Sequence, residues 1–373
     1  MELSPAEQAR RFAAEHVAPR ADLHRAETFP DDLWAAMGRA GLLGLYLPRE
    51  YGGAGGDSAA LMRAGAAFVE AGGNLGLAAA WFSHSVVARF LVHRCGSAAQ
   101  RTRWLPELAA GRLTASVAIS EPEAGAHPKH LAAEAEALPE GGWRLTGEKA
   151  WVTNGNIAGL FVVVAITARE AGRKRFSAFL VPREAPGLSL APMPALEVLR
   201  PSQHVRVALK DVCVAADALL GELHTAFDTM AKPLRDVEDV LKTGRLLGGL
   251  RYLQARLLPR AVAAGEAAGD LLERAGSLEA RLTALEALGD RAAAVLDEGG
   301  DLAPLEPLGL AIRELAAGLH GDLAALGAEL GEEAEPWAQM ARELDRSVNT
   351  ARRVDAIKRR KLAEHRLFEG TSR

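Results

Sequence analysis

Residues 145–165 read LTGEKAWVTNGNIAGLFVVVA. Two runs rich in β-branched and aromatic residues flank Asn154-Gly155, so the stretch predicts a strand, a turn and a second strand. The same texture continues in FSAFLVP (176–182), GLSLAP (187–192) and HVRVALKDV (204–212), separated by Gly, Pro or Asn. In HVRVAL apolar and polar residues partly alternate, as in a strand with one wet face. These runs predict an all-β segment over residues 114–222.

On either side the texture is helical. Ser4-Pro5-Ala6-Glu7 has a Ser cap, Pro at the first helical position and Glu three after the cap. A second helix is predicted from Pro30 to Arg39, stopped by Gly41. Ser97-Ala98-Ala99-Gln100 opens another, which carries Trp104, Leu105 and Leu108 and ends at Gly111. EYGGAGGD (50–57) is too glycine-rich to hold an element interior and predicts a loop. After Glu222, Leu278, Leu282, Leu285, Leu288 and Val295 form one apolar helical stripe. Breaks at Gly299-Gly300, Gly331 and Pro336 divide this part into a bundle of three or four long helices. The expected organisation is helical (1–113), β (114–222) and a helical bundle (223–373), an α+β multidomain protein.

Charge excludes some classes. The 44 Lys+Arg nearly balance 48 Asp+Glu, against the basic excess of a dedicated nucleic-acid binder. Cys95 and Cys213 stand far apart, in no metal-ligand spacing. The first twenty residues lack a basic stretch followed by an apolar one. The apolar run GLFVVVAIT is half the ~18 residues that span a bilayer. The expectation is a cytoplasmic protein without a membrane span.

Several strings, in order, resemble the acyl-CoA dehydrogenase family: GLLGLYLPREYGGAGGD (41–57), CGSAAQRTRWLPELAAGRL (95–113), VAISEPEAGAHP (117–128), LTGEKAWVTNGNIAGLFVVVA (145–165), FLVPREAPGLS (179–189) and LKDVCVAADALLGE (209–222). The resemblance implies helical N- and C-terminal domains around a middle β-barrel. It implies FAD as cofactor, an acyl-CoA or acyl-carrier thioester as substrate and electron-transfer flavoprotein as acceptor. It also implies a homodimer or homotetramer. VAISEPEAGAHP resembles the family's flavin loop, so Ser120 and the backbone at Gly125 and Ala126 are implied to meet the cofactor. Trp151 is implied to lie at the isoalloxazine edge. The Thr153 hydroxyl is implied beside flavin N5, where it would stabilise added electron density.

The chain departs from the family in places. Ala126-His127 replaces the usual Ser-Asp, and His127 with His130 is too small a set for a metal site. RLLGGLRYLQARLL (245–258) resembles a family helix, but sixteen residues after Gly248 the pyrophosphate-binding arginine is missing. Arg260 lies one turn earlier. The Gln-x-x-Gly-Gly-x-Gly segment of the adenosine end is replaced by MARELDRSVNTARRVDAIKRR (340–360). A pyrophosphate needs cations or backbone N–H groups.

α,β-Dehydrogenation needs a carboxylate base. HRLFEGTSR (365–373) resembles the family's C-terminal base segment and puts Glu369 at the base position. A second family arrangement, ten residues before Gly248, points to Glu238, with Asp239 where that arrangement has arginine. Three readings follow: an FAD-dependent acyl thioester dehydrogenase; a degenerate member serving as partner subunit or binding protein; or a flavin oxidase or monooxygenase on the same fold.

Overall fold

The computed structural model describes residues 3–194, 197–263, 268–332, 334–349 and 352–369. The chain divides into two compact units, each built from separated segments. One draws on residues within 1–24, 57–78 and 239–373, and the other on 25–56 and 79–238.

The second unit is organised around one eight-stranded sheet. Its strands are β1 (Ala115–Ala118), β2 (Glu134–Ala137), β3 (Trp143–Thr153), β4 (Leu160–Glu170), β5 (Arg173–Pro182), β6 (Leu188–Pro192), β7 (His204–Val214) and β8 (Leu219–Leu220). The order is β6-β7-β3-β2-β4-β5-β8, with β1 also paired to β4. Pairing is antiparallel except where β4 runs parallel to β1 and β2. Inward residues such as Leu145, Val152, Phe161, Val163, Phe179, Val181, Val205 and Val207 form a single core. Leu188 and Leu190 from one end of the strand order and Leu219 from the other pack on that same core, so the sheet curls into a barrel. β1, β2 and β8 are short, and ASVA and EAEA carry almost no β-branched residues, so their pattern was too weak to read.

Helices of this unit are α2 (Asp31–Arg39) and α5 (Ala98–Ala109). Ser97 caps α5 through the expected reciprocal bonds with Gln100. The Gln100 amide also donates to the carbonyls of Asp217 (2.7 Å) and Leu219 (2.9 Å), fastening α5 to the barrel's last turn.

The other unit contains α1 (Pro5–His16), with the expected Ser4–Glu7 capping box, and α3 (Ser58–Gly72), capped by Asp57. Its C-terminal part comprises α6 (Lys232–Ala263) from Asp239 onward, α7 (Ala268–Glu298), α8 (Leu305–Glu329), α9 (Trp337–Asn349) and α10 (Arg352–Glu369). Of the predicted α7 stripe, Leu278, Leu282, Leu285 and Val295 are buried and Leu288 is half-buried. A Cβ on Gly244 or Gly248 would overlap the carbonyl oxygen of Met62 or Ala66, so these glycines let α6 lie directly against α3. α4 (Leu75–Val86) is divided between the units after Ala78, and a π-helical turn, Val87–His93, belongs to the sheet-bearing unit. Residues Leu75–His93 are long and apolar enough to cross a membrane, but 83% of the window is buried inside the protein. Its polar His84 and Ser85 hid this run from the sequence reading.

Candidate functional site

The end of β3 departs from regular strand. Its register with β7 shifts between Lys149 and Val152. Trp151 sits in this bulge at φ 59°, a conformation that side-chain-bearing residues rarely adopt. The bulge turns the indole outward, 48% exposed. His204 on β7 packs edge-on against it, with ring centroids 6.0 Å apart. Burial lowers the His204 pKa, favouring a neutral ring. Thr153 pairs with His204 across the ladder, and its carbonyl accepts from Ser116 Oγ at 2.7 Å. Asn154, at φ 61°, ends the strand and donates to the Ala80 carbonyl.

The VAISEPEAGAHP loop is fastened to this strand end. Ser120 carbonyl accepts from the Ala150 amide at 2.9 Å. Glu121 and Gly125 exchange backbone bonds of 2.9 and 3.1 Å, closing a tight turn. Gly125 takes φ 55°, which explains the glycine, and open space surrounds the place where a Cβ would stand. Ala126 is half-buried and His127 exposed, stacked with His130 at 5.0 Å. Among the described residues no group of metal-ligating side chains assembles.

Two residues that the sequence reading missed anchor the loop. Lys149 is completely buried and donates to Glu121 Oε1 (2.8 Å) and the Ile119 carbonyl (3.2 Å). Glu121 also accepts from the amides of Ala132 (2.6 Å) and Ala133 (2.9 Å). Burial lowers the Lys149 pKa while Glu121 opposes that shift. A signal existed: Lys149 shares strand parity with buried Leu145, an inward position where a lysine needs a partner.

Ser120, Gly125 and Ala126 are thus tied to the strand end bearing Trp151 and Thr153. The arrangement offers an exposed aromatic face, a hydroxyl and backbone groups with free space beside them. These suit a planar heteroaromatic ring with polar edges.

The candidate bases lie elsewhere. Glu238 is exposed on α6. Asp239 pairs with Lys242 (2.6 Å) and with buried Arg313 (2.9 Å), which also binds Asp355 (2.7 Å). Burial raises the Asp239 pKa, but Lys242, Arg313 and Lys358 bring it below its usual value. Glu369 is the last residue of α10; its side chain, and residues 370–373, lie outside the described residues. Arg260 is paired with Glu332 at 2.6 Å.

Comparison with known proteins covers both units. Models described as acyl-CoA dehydrogenase, N-terminal domain, and acyl-CoA dehydrogenase, middle domain, match residues 3–112 and 116–212. Mitochondrial isovaleryl-CoA dehydrogenase of Solanum tuberosum is 33% identical over 220 residues, covering 58% of this chain and 53% of that protein. The short-chain specific acyl-CoA dehydrogenase of Clostridium acetobutylicum is 29% identical over 227 residues, covering 60% and 59%. The chain thus spans little more than half the length of the curated relatives it matches. Butyryl-CoA dehydrogenase from Megasphaera elsdenii shares the fold with TM-score 0.82 at 20% identity, covering 92% of this chain and 94% of that one. The prolyl acyl carrier protein oxidase AnaB does so with TM-score 0.82 at 22% identity, covering 98% and 99%.

Proposed function

Because the chain belongs to the acyl-CoA dehydrogenase family, we propose that it is a flavoprotein that α,β-dehydrogenates an acyl-CoA or acyl-carrier thioester. The observation that carries this reading is the strand-end bulge, which presents Trp151 beside Thr153 with the Ser120–Ala126 loop pinned against it. A ring-bearing cofactor explains why an indole is held outward in a costly backbone conformation.

In this reading Trp151 gives the flavin ring an apolar edge. The Thr153 hydroxyl and the backbone of 120–126 supply hydrogen bonds. When bound, FAD supplies the acceptor for the β-hydride. Glu369 takes the α-proton on its carboxylate, with Glu238 as the alternative base; the exposure of Glu238 favours Glu369. Electrons pass on to an electron-transfer flavoprotein, and the protein is a homo-oligomer.

One observation favours a second reading. Arg260, one turn before the position where the family resemblance implies a pyrophosphate-binding arginine, is already paired with Glu332. A degenerate subunit that keeps the fold and binds flavin weakly would look like this. The visible spectrum of the purified protein, before and after added FAD, separates the two. A resolved flavin band that bleaches with an acyl-CoA, and bleaching lost in Glu369→Gln, supports the enzyme. No band with excess FAD supports the partner subunit.

A further inference from the structure

The buried pair Lys149–Glu121 lies between two features that the proposed flavin site needs, the 120–126 loop and the Trp151 bulge. On the loop side, three successive residues are bonded to two successive strand residues. The Ile119 carbonyl and Glu121 Oε1 accept from Lys149 Nζ, and the Ser120 carbonyl accepts from the Ala150 amide. The same carboxylate also reaches forward along the chain, with Oε2 accepting from the Ala132 amide and Oε1 from Ala133. One side chain thereby ties the start of the loop to its end, and residues 122–131 are the segment it closes. The far end is fixed on the barrel as well. The Ala133 carbonyl accepts from the Ile166 amide at 2.8 Å, and a Cβ on Gly147 would stand 2.6 Å from the Ala133 Cβ.

On the strand side, the lysine fixes where the bulge falls. Leu145 and Val152 both point into the barrel core although they are seven residues apart. In a regular strand an odd separation puts side chains on opposite faces, so one extra residue must be absorbed between them. Lys149 shares the parity of Leu145 and is fully buried, which places the break after it. The ladder agrees: Lys149 pairs with Val207 and Val152 with Val205, so β3 takes three steps where β7 takes two. Trp151 falls in that interval. A slip that moved the break ahead of Lys149 would turn the ammonium away from the acceptors it now has.

We propose, resting on the flavin reading of this site, that Lys149 and Glu121 are its positioning residues. They lock the 122–131 loop and the Trp151 bulge into one preformed unit, so that the Gly125–Ala126 backbone and the indole keep a fixed relation before a cofactor arrives. Stability alone does not account for the pair, because apolar residues of similar volume hold a core as well as a buried ion pair does. They would not bring Ile119, Glu121 and Ala132 to one point.

The test compares the full-length wild type with the double variant Glu121→Gln/Lys149→Met. Replacing both partners avoids leaving one charge stranded, so its urea midpoint should stay near that of the wild type. Its Trp151 indole N–H resonance, assigned by its absence in Trp151→Phe, should move or broaden. Its dissociation constant for FAD should rise about tenfold or more, the size of one lost charge-assisted bond. A fold-only role for the pair would leave the indole signal and the FAD affinity unchanged in a folded variant. The unmutated protein supplies a check that needs no variant: the Ala132 and Ala133 amides should exchange with solvent as slowly as the barrel amide of Ile166. Fast exchange at Ala132 and Ala133 overturns the lock. A wild type that binds no FAD overturns the flavin reading and, with it, the role given to the pair. A wild type that binds FAD, with a double variant that binds it equally or leaves the indole signal unmoved, overturns the role of the pair alone.

Discussion

His84 shows how one residue's surroundings set a pH dependence. It is fully buried, its Nε2 lies 3.1 Å from the Leu108 carbonyl and its Nδ1 accepts from the Ala115 amide at 3.4 Å. Burial lowers its pKa to about 4, despite the bond to Leu108. Between about 4 and the ordinary 6.5 the unfolded chain holds a proton there and the folded chain does not. Stability from this group is therefore complete above pH 6.5 and is lost as pH falls towards 4. Urea unfolding should give a stability about 2 kcal/mol lower at pH 5 than at pH 7 from this group. His84→Asn should remove that share of the slope; an unchanged slope would refute the assignment. Trp151 makes the opposite case, a residue held at a cost. Trp151→Gly removes the positive-φ strain and should raise stability by up to about 1 kcal/mol, while weakening any binding of FAD. Melting curves and a flavin titration check both halves, and a variant that is less stable or binds FAD unchanged contradicts the role given to the bulge.

At the scale of elements, the contact of α6 with α3 depends on missing side chains. A Cβ placed on Gly248 would lie 2.3 Å from the Ala66 carbonyl oxygen and 2.9 Å from the Val69 Cβ. A methyl there must push the helices apart. Gly248→Ala should cost about 1–3 kcal/mol, read as a lowered urea midpoint. A midpoint equal to wild type or higher would show that α6 can shift freely. The capping boxes of α1 and α5, the α7 stripe and strands β3 to β7 were legible because each depends on residues a few positions apart. β1 and β2 were not legible: four-residue strands owe their state to pairing with β4 and β3 rather than to their own composition.

For the whole molecule, Arg313 joins α8 to α6 through Asp239 and to α10 through Asp355. Its side chain is 6% exposed, so removing it strands Asp355 and leaves Asp239 with Lys242 alone. Arg313→Met should cost about 3–5 kcal/mol, whereas replacing all three charges by apolar residues of similar volume should come close to neutral. Equal losses in the single and triple variants would mean that packing, not charge, holds these helices. The same network explains Asp239, which in sequence looked like a departure from an arginine position. Its partner lies 74 residues away.

Residues alone determined the helical, β and helical order, the family and the strings around Ser120, Gly125, Trp151 and Thr153. Those features rest on local propensity and short-range patterns. Only the tertiary structure decided that Lys149 is buried against Glu121, that Trp151 turns outward against His204, and that Arg260 is taken by Glu332. A buried charge finds its partner, and a bulge its register, only through segments that meet after folding. Where they meet is decided by packing among distant elements.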